Sequence, residues 1–145
     1  MLCGKTNYKT LKVYDDAHAF VLHIYALTKD FPADESKNLV SQLRRAATSL
    51  PLNIAEGSGC LSFRSYLNFV CFAYRSCLEI EAALKLCKDL KYIDEHQHAD
   101  TVAKLDPVIR QIYGYMKYLE RKADERKYRR QIFTAEDRTP VAIRI

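Results

Sequence analysis

DESKNLVSQLRRAATSLPLNIAEGSG, residues 34–59, sets Leu39, Leu43, Ala46, Ala47, Leu50 and Ile54 mostly three and four positions apart. At 100° per residue these side chains fall within about a third of a helical wheel, so the stretch predicts one amphipathic helix from Asp34 to Glu56. Pro51 cannot donate to the carbonyl of Ala47, yet the apolar stripe continues in phase to Ile54, which predicts a kink rather than a stop. Gly57-Ser58-Gly59 then reads as the stop.

The same period runs outward in both directions. Upstream, Val13, Ala17, Phe20, Val21, Ile24 and Leu27 predict a helix from Val13 to Lys29, broken at Phe31-Pro32 because proline disfavours helical angles in the residue before it. Downstream, Ser62 is an N-cap for a third helix reaching Leu90. Leu67, Val70, Tyr74, Cys77, Glu81 and Leu84 follow one stripe of it, while Phe69, Phe72, Ile80, Ala83 and Leu86 put apolar material on other sides. That breadth points to packing against a second copy of the chain; the alternative is the central helix of its own bundle. Asp94 can cap a fourth helix through Val102, Leu105, Val108, Ile109, Ile112, Tyr115, Met116 and Leu119 into a basic segment, with a kink expected near Pro107. With only four Gly and four Pro in 145 residues, the chain lacks the turns of a many-stranded β protein. The expected fold is all-α, an up-down-up-down four-helix bundle with a basic extension of helix 4. A basic N-terminal segment (1–12) precedes the bundle (13–130), and a short C-terminal tail (131–145) follows it. The alternation of residues 141–145 fits an extended strand that docks on a partner.

Five cysteines, Cys3, Cys60, Cys71, Cys77 and Cys87, form no CxxC pair and make an odd count. They read as reduced thiols, which places the protein in the cytoplasm. The N-terminal residues carry lysines without an apolar core of a signal peptide, and the longest apolar run, Phe69–Tyr74, is far short of the roughly 20 residues that span a bilayer. The net charge of +5 is unevenly spread: Lys5, Lys9 and Lys12 stand without an acid in residues 1–12, and residues 117–130 hold seven bases against three acids. Excess positive charge at both chain ends points to a polyanion.

Chemistry-bearing patterns are few. Asp15-x-x-His18 and Glu95-x-x-His98 could be mistaken for halves of a metal site, but they open helices 1 and 4, whose starts lie at opposite ends of such a bundle, about 30 Å apart for 20-residue helices. They read instead as solvated first-turn acids and exposed histidines. No GxSxG, GxxxxGK[ST] or GxGxxG is present. No catalytic residue, metal or cofactor is expected, and the protein is expected not to be an enzyme. The basic part of helix 4 is the strongest lead. Lys117, Arg121, Lys122, Arg126, Lys127, Arg129 and Arg130, together with Lys5, Lys9 and Lys12, are the candidate nucleic-acid contacts: guanidinium forks suit phosphates, and Tyr118 and Tyr128 can stack on unpaired bases. The alternative is a solvated face that complements the helix dipole while Glu120, Asp124 and Glu125 pair locally.

Phe31-Pro32 followed by Ser41–Gly59, with its Arg44-Arg45 pair, its mid-helix Pro51 and its Asn53-Ile54-Ala55-Glu56-Gly57 ending, resembles the signature of a bacterial four-helix-bundle family. That family includes the proteins encoded in 23S ribosomal RNA intervening sequences and the accessory variability determinant (Avd) proteins of diversity-generating retroelements. The resemblance runs from about Lys12 to Leu119. It implies a homopentameric ring without enzyme activity. For the retroelement members it also implies binding of RNA or DNA and of a reverse transcriptase. A structural or ribosome-associated protein encoded in a 23S ribosomal RNA intervening sequence, without a reverse transcriptase partner, is the alternative. Arg44, Arg45, Asn53, Glu56, Phe69 and Phe72 are the candidate bundle or oligomer contacts. The chain departs from the family pattern at Leu52, where a small polar residue is common, and in its long basic extension.

Overall fold

The computed structural model describes residues 6–136, with side chains described through residue 130; Cys3, Lys5 and tail residues 137–145 lie outside the described residues. Four helices carry it: α1 (Lys12–Thr28), α2 (Leu39–Ser58), α3 (Phe63–Asp89) and α4 (Glu95–Glu136), with 3-10 turns at Tyr8–Thr10 and Ala33–Glu35. α4 therefore continues past residue 130, where the tail was expected to begin. Each helix packs on two neighbours, α1 on α2, α2 on α3, α3 on α4, and α4 back on α1. His23 Nε2 lies 2.8 Å from Thr101 Oγ1, and Gln111 Nε2 donates to Asp16 Oδ2 at 2.7 Å, so α1 and α4 run antiparallel. This is the up-down-up-down four-helix bundle that the apolar periods predict.

Local chemistry sets the boundaries. Ser62 Oγ accepts the N–H of Ser65 at 3.1 Å and opens α3. Asp94 and Gln97 exchange side-chain-to-backbone bonds at 2.7 and 2.9 Å, a reciprocal capping box at the start of α4. α3 closes on Lys91 at φ 64°, with the N–H of Tyr92 reaching back to the carbonyl of Cys87. The start of α2 corrects the sequence reading. Glu35 accepts from the N–H of Leu39 (3.2 Å), from Asn38 Nδ2 (3.0 Å) and from Tyr92 Oη (3.0 Å), so residues 34–38 form an anchored turn and the helix begins at Leu39. The Leu39 amide above all holds the Glu35 carboxyl below the usual carboxylate range.

Gly57 is a second correction. α2 does end within Gly57-Ser58-Gly59, at Ser58 with Gly59 as its C-cap, but Gly57 itself is a buried residue inside the helix, and a Cβ there would lie 2.3 Å from Tyr66 Cδ2 and 3.0 Å from Phe69 Cβ. Its missing side chain is what lets α2 approach α3 over the buried Tyr66 ring. α2 runs unbroken through Pro51, as α4 does through Pro107.

The core draws on all four helices: Phe20 and Ile24, Leu43, Leu50 and Ile54, Val70, Ile80 and Leu84, then Leu105, Ile112 and Leu119. Each such side chain removed from water contributes about 1.5–3 kcal/mol before entropy is charged. On α3, Ile80 and Ala83 are buried alongside Leu67, Val70, Cys77 and Leu84, whereas Glu81 is exposed. Much of the helix's apolar breadth is thus that of an element covered on two sides, by α2 and by α4. Phe72 and Leu86 stay outside, 52% and 53% exposed. Burial pushes the thiols of Cys77 and Cys87 up to about 12 and about 11, which keeps both protonated and unreactive. No described helix is long and apolar enough to cross a membrane.

Candidate nucleic-acid interface

α4 outruns the bundle it belongs to. Arg64, in the first turn of α3, donates to Asp124 at 2.9 Å, so the part of α4 beyond Asp124 runs on past the start of α3. Counting 100° per residue, the buried stripe Leu105, Val108, Ile112 and Leu119 continues through Ala123, Arg126 and Arg130. The inward face of the helix therefore turns from apolar to basic where the bundle runs out. The Arg126 guanidinium stands 5.1 Å from the centroid of the Phe63 ring. Between the two helices a cavity of about 430 Å³ opens, edged by Arg64, Arg126, Lys127 and Arg130.

The outward face of α4 differs. Lys117 reaches Glu120 at 3.5 Å and lies 5.7 Å from the Tyr113 ring centroid. Arg121 and Lys122 share Glu125, at 3.9 and 3.2 Å, and both stand just under 6 Å from the centroid of the Tyr118 ring. These exposed pairs are the local ones that the dipole alternative calls for, and at the surface such pairs hold weakly. Tyr113 and Tyr118 expose much of their rings, and nothing lies within 4 Å of where a Cβ on Gly114 would be. A shallow open groove results over Gly114, Lys117 and Arg121. Lys127, Arg129, Arg130 and Tyr128 are exposed.

Among the described residues, no contact brings the N-terminal lysines onto this segment. Lys12 pairs with Asp16, which also accepts from Gln111, and Tyr8 in the turn carrying the exposed Lys9 packs edge-on against Tyr14 at 4.8 Å. Lys12 thus sits beside the first half of α4, where it lines a shallow cavity with Lys104 and Pro107, and Lys5 lies outside the described residues.

The remaining candidates divide by helix face. Arg44 Nε donates to the buried Thr28 Oγ1 at 2.9 Å, and its guanidinium covers the Tyr25 ring at 4.5 Å, a cation set on the C-terminal end of α1. It joins α1 to α2 inside one chain. Asn53 donates to the carbonyl of Ser49 at 2.8 Å, and Ser49 Oγ meets Ser76 Oγ at 2.6 Å across the α2–α3 seam. Phe69 is half-buried over Gly57, and Phe72 rims a groove with Asn53, Arg75 and Glu79. Arg45 and Glu56 are exposed on α2. Among the described residues, no three His, Cys, Asp or Glu side chains converge as metal ligands do. Phe63 and Arg64 are the residues that the sequence reading missed. Their place opposite Arg126 depends on the antiparallel packing of two helices, whereas the phase that sets Arg126 and Arg130 inward was already readable.

A family model described as 23S rRNA-intervening sequence protein matches residues 9–114, ending before Lys117. Among solved structures, the chain is similar to a protein of unknown function from the S23 ribosomal protein family of Bacteroides thetaiotaomicron VPI-5482. The two are 25% identical with a TM-score of 0.66, over 72% of this chain and 98% of that one. No curated protein matches the chain.

Proposed function

The chain belongs to the 23S rRNA-intervening sequence protein family, and from that premise we propose that it is a non-enzymatic, homo-oligomeric scaffold that holds nucleic acid on the basic end of its bundle. The observation that carries this reading is the run of bases at the end of α4, where the inward stripe turns to Arg126 and Arg130 beside Arg64 of α3. Such a surface works by charge and position: cations on phosphates fix where a strand lies without reading its sequence. Association of copies, a pentamer by the family resemblance, would repeat the surface around an axis and multiply weak contacts into a firm one. The exposed Leu52 and Phe72 support that association. The partner we assign is a reverse transcriptase, with the protein as the accessory factor of a diversity-generating retroelement. The family match ends at residue 114, ahead of the basic segment. That segment fits a dedicated partner.

A structural or ribosome-associated role is the second reading, in keeping with a family of 23S rRNA-intervening sequence proteins. Genomic neighbourhood separates the two: a reverse transcriptase gene and a repeated template region beside this gene select the first, and a position inside a ribosomal RNA gene selects the second. Binding itself is tested by titrating single-stranded RNA at several salt concentrations. Replacing Arg126, Lys127, Arg129 and Arg130 with Gln is expected to flatten the plot of log affinity against log salt by roughly 3, at about 0.7 for each phosphate no longer neutralised. An unchanged slope would overturn the assignment.

A further inference from the structure

α4 sets large rings on the side that faces away from the core. Counting 100° per residue, Lys117, Arg121 and Tyr128 stand opposite the buried stripe of Leu105, Ile112 and Leu119, and Tyr113 and Tyr118 flank them on either side. A helix that only needed a solvated face would carry short polar or charged residues at those two edges. Gly114 lies between the rings, and nothing inside the chain calls for a glycine there: its φ is not positive, and a Cβ would meet no atom within 4 Å. Glycine weakens a helix interior relative to alanine, so the bundle itself gains nothing from it. What the missing side chain does supply is the floor of the shallow groove shared by Lys117, Tyr118 and Arg121, where another molecule can come close to the helix backbone.

The rings are held in place from below. Tyr118 stacks nearly parallel on Tyr115 at 5.8 Å between centroids, and Tyr115 meets the buried Tyr66 ring edge-on at 5.4 Å. Tyr113 leans on Tyr74 of α3 at 5.9 Å. Tyr118 nevertheless stays 40% exposed and Tyr113 48% exposed. We propose that this groove is a stacking platform for single-stranded nucleic acid, in which unpaired bases lie on Tyr118 and Tyr113, the strand passes close over Gly114, and Lys117 and Arg121 take its phosphates. Both cations are paired with Glu120 and Glu125, but these are exposed pairs that hold weakly, so a phosphate can replace the carboxylate. Rings interleaved with bases suit a polyanion with flat faces better than they suit a second protein surface, where lysine is disfavoured. A duplex keeps its base faces covered and cannot use the rings. The proposal rests on the nucleic-acid reading above and deepens it, from a charged surface to one that selects unpaired strands.

The test uses the full chain and a short single-stranded RNA carrying a fluorescent adenine analogue whose emission falls when the base stacks, with the same strand annealed to its complement as control. The unaltered chain is expected to quench the single strand saturably and to bind it at least tenfold more tightly than the duplex. The Tyr113→Ser, Tyr118→Ser double variant should lose the quenching and at least tenfold in affinity, the scale of two lost stacking contacts. Its salt slope should stay as it was, because no cation is removed. Tyr113→Phe, Tyr118→Phe keeps both rings and should restore both readouts. Gly114→Leu leaves rings and charges in place, fills the groove, and should also lose the quenching. Circular dichroism checks that each variant keeps its helicity. Quenching and affinity retained in the serine and leucine variants overturn the platform, as does a duplex bound as tightly as the single strand. A salt slope that is still flattened by the four Gln replacements at residues 126, 127, 129 and 130 would then keep the function proposed above without the platform. Failure of the unaltered chain to bind either RNA overturns both together. A serine variant that sediments as single chains, where the unaltered protein sediments as an assembly, makes this face a contact between copies and overturns the platform.

Discussion

Gly57 is the tightest point between α2 and α3, and the contrast with two other glycines separates packing from backbone freedom. A Cβ at Gly57 would overlap the buried Tyr66 ring, whereas at Gly59 it would only touch the Glu56 carbonyl at 3.4 Å, and at Gly114 it would meet open space. Gly57→Ala is therefore expected to destabilise by about 1–3 kcal/mol, the usual cost of forcing extra volume into a packed seam. Gly114→Ala, inside a helix and unopposed, is expected to stabilise by about 0.5–1 kcal/mol, because alanine loses less backbone entropy there. Urea unfolding of the two variants checks both signs. Equal destabilisation by the two would mean that helical entropy plays no part at Gly114 and that the close approach at Gly57 is not what distinguishes it.

At the scale of elements, the four helices were legible because each apolar stripe keeps its phase over several turns and because Ser62 and Asp94 are caps that act within three residues of themselves. The errors have one cause, contacts between distant segments. The start of α2 is moved by Tyr92, which binds Glu35 from the loop after α3, and Gly57 is held inside its helix by Tyr66 of the next. The basic interface was half legible for the same reason: the phase of Arg126 and Arg130 is local, but their opposition to Phe63 and Arg64 is not. The α1–α4 seam, the sparsest of the bundle, carries a pH dependence that follows from such a contact. Burial holds the His23 imidazole below 6.5, nearby Lys104 lowers it further, and Asp100 opposes both. The folded protein takes up the proton less readily than the unfolded chain does. The stability that neutral His23 contributes is thus complete above about pH 6.5 and is lost as the pH falls. Asp16 and Asp100 are held below the ordinary carboxylate value of 3.8, so their own effects come at lower pH. The urea midpoint is expected to fall between pH 7 and 5, and His23→Gln should flatten that decline. A decline of the same size in the variant would assign it to other groups.

For the whole molecule, the decisive quantity is the apolar surface that one bundle leaves uncovered. Leu52 on α2 and Phe72 on α3 are 63% and 52% exposed, and Phe72 rims the groove beside Asn53. A monomer pays for such residues in solubility, whereas an interface uses them, and covering each side chain is worth about 1.5–3 kcal/mol. The basic end and this α2–α3 face use different residues, so copies can associate through one and leave the other open to phosphate. Replacing Leu52 with Gln and Phe72 with Ser removes two large apolar groups from every contact without touching Arg126 or Arg130. Sedimentation of the unaltered chain at micromolar concentration is expected to give one closed assembly, and the double variant should fall to single chains with unchanged helicity. Because a ring gains its grip on a long strand from repeated sites, the single chains should bind a long RNA at least tenfold more weakly while binding a short oligonucleotide as before. A double variant that still sediments as the assembly places the interface elsewhere. A single chain that still holds long RNA with full affinity would show that one bundle supplies the whole binding surface, and multivalency would then have no part in the function.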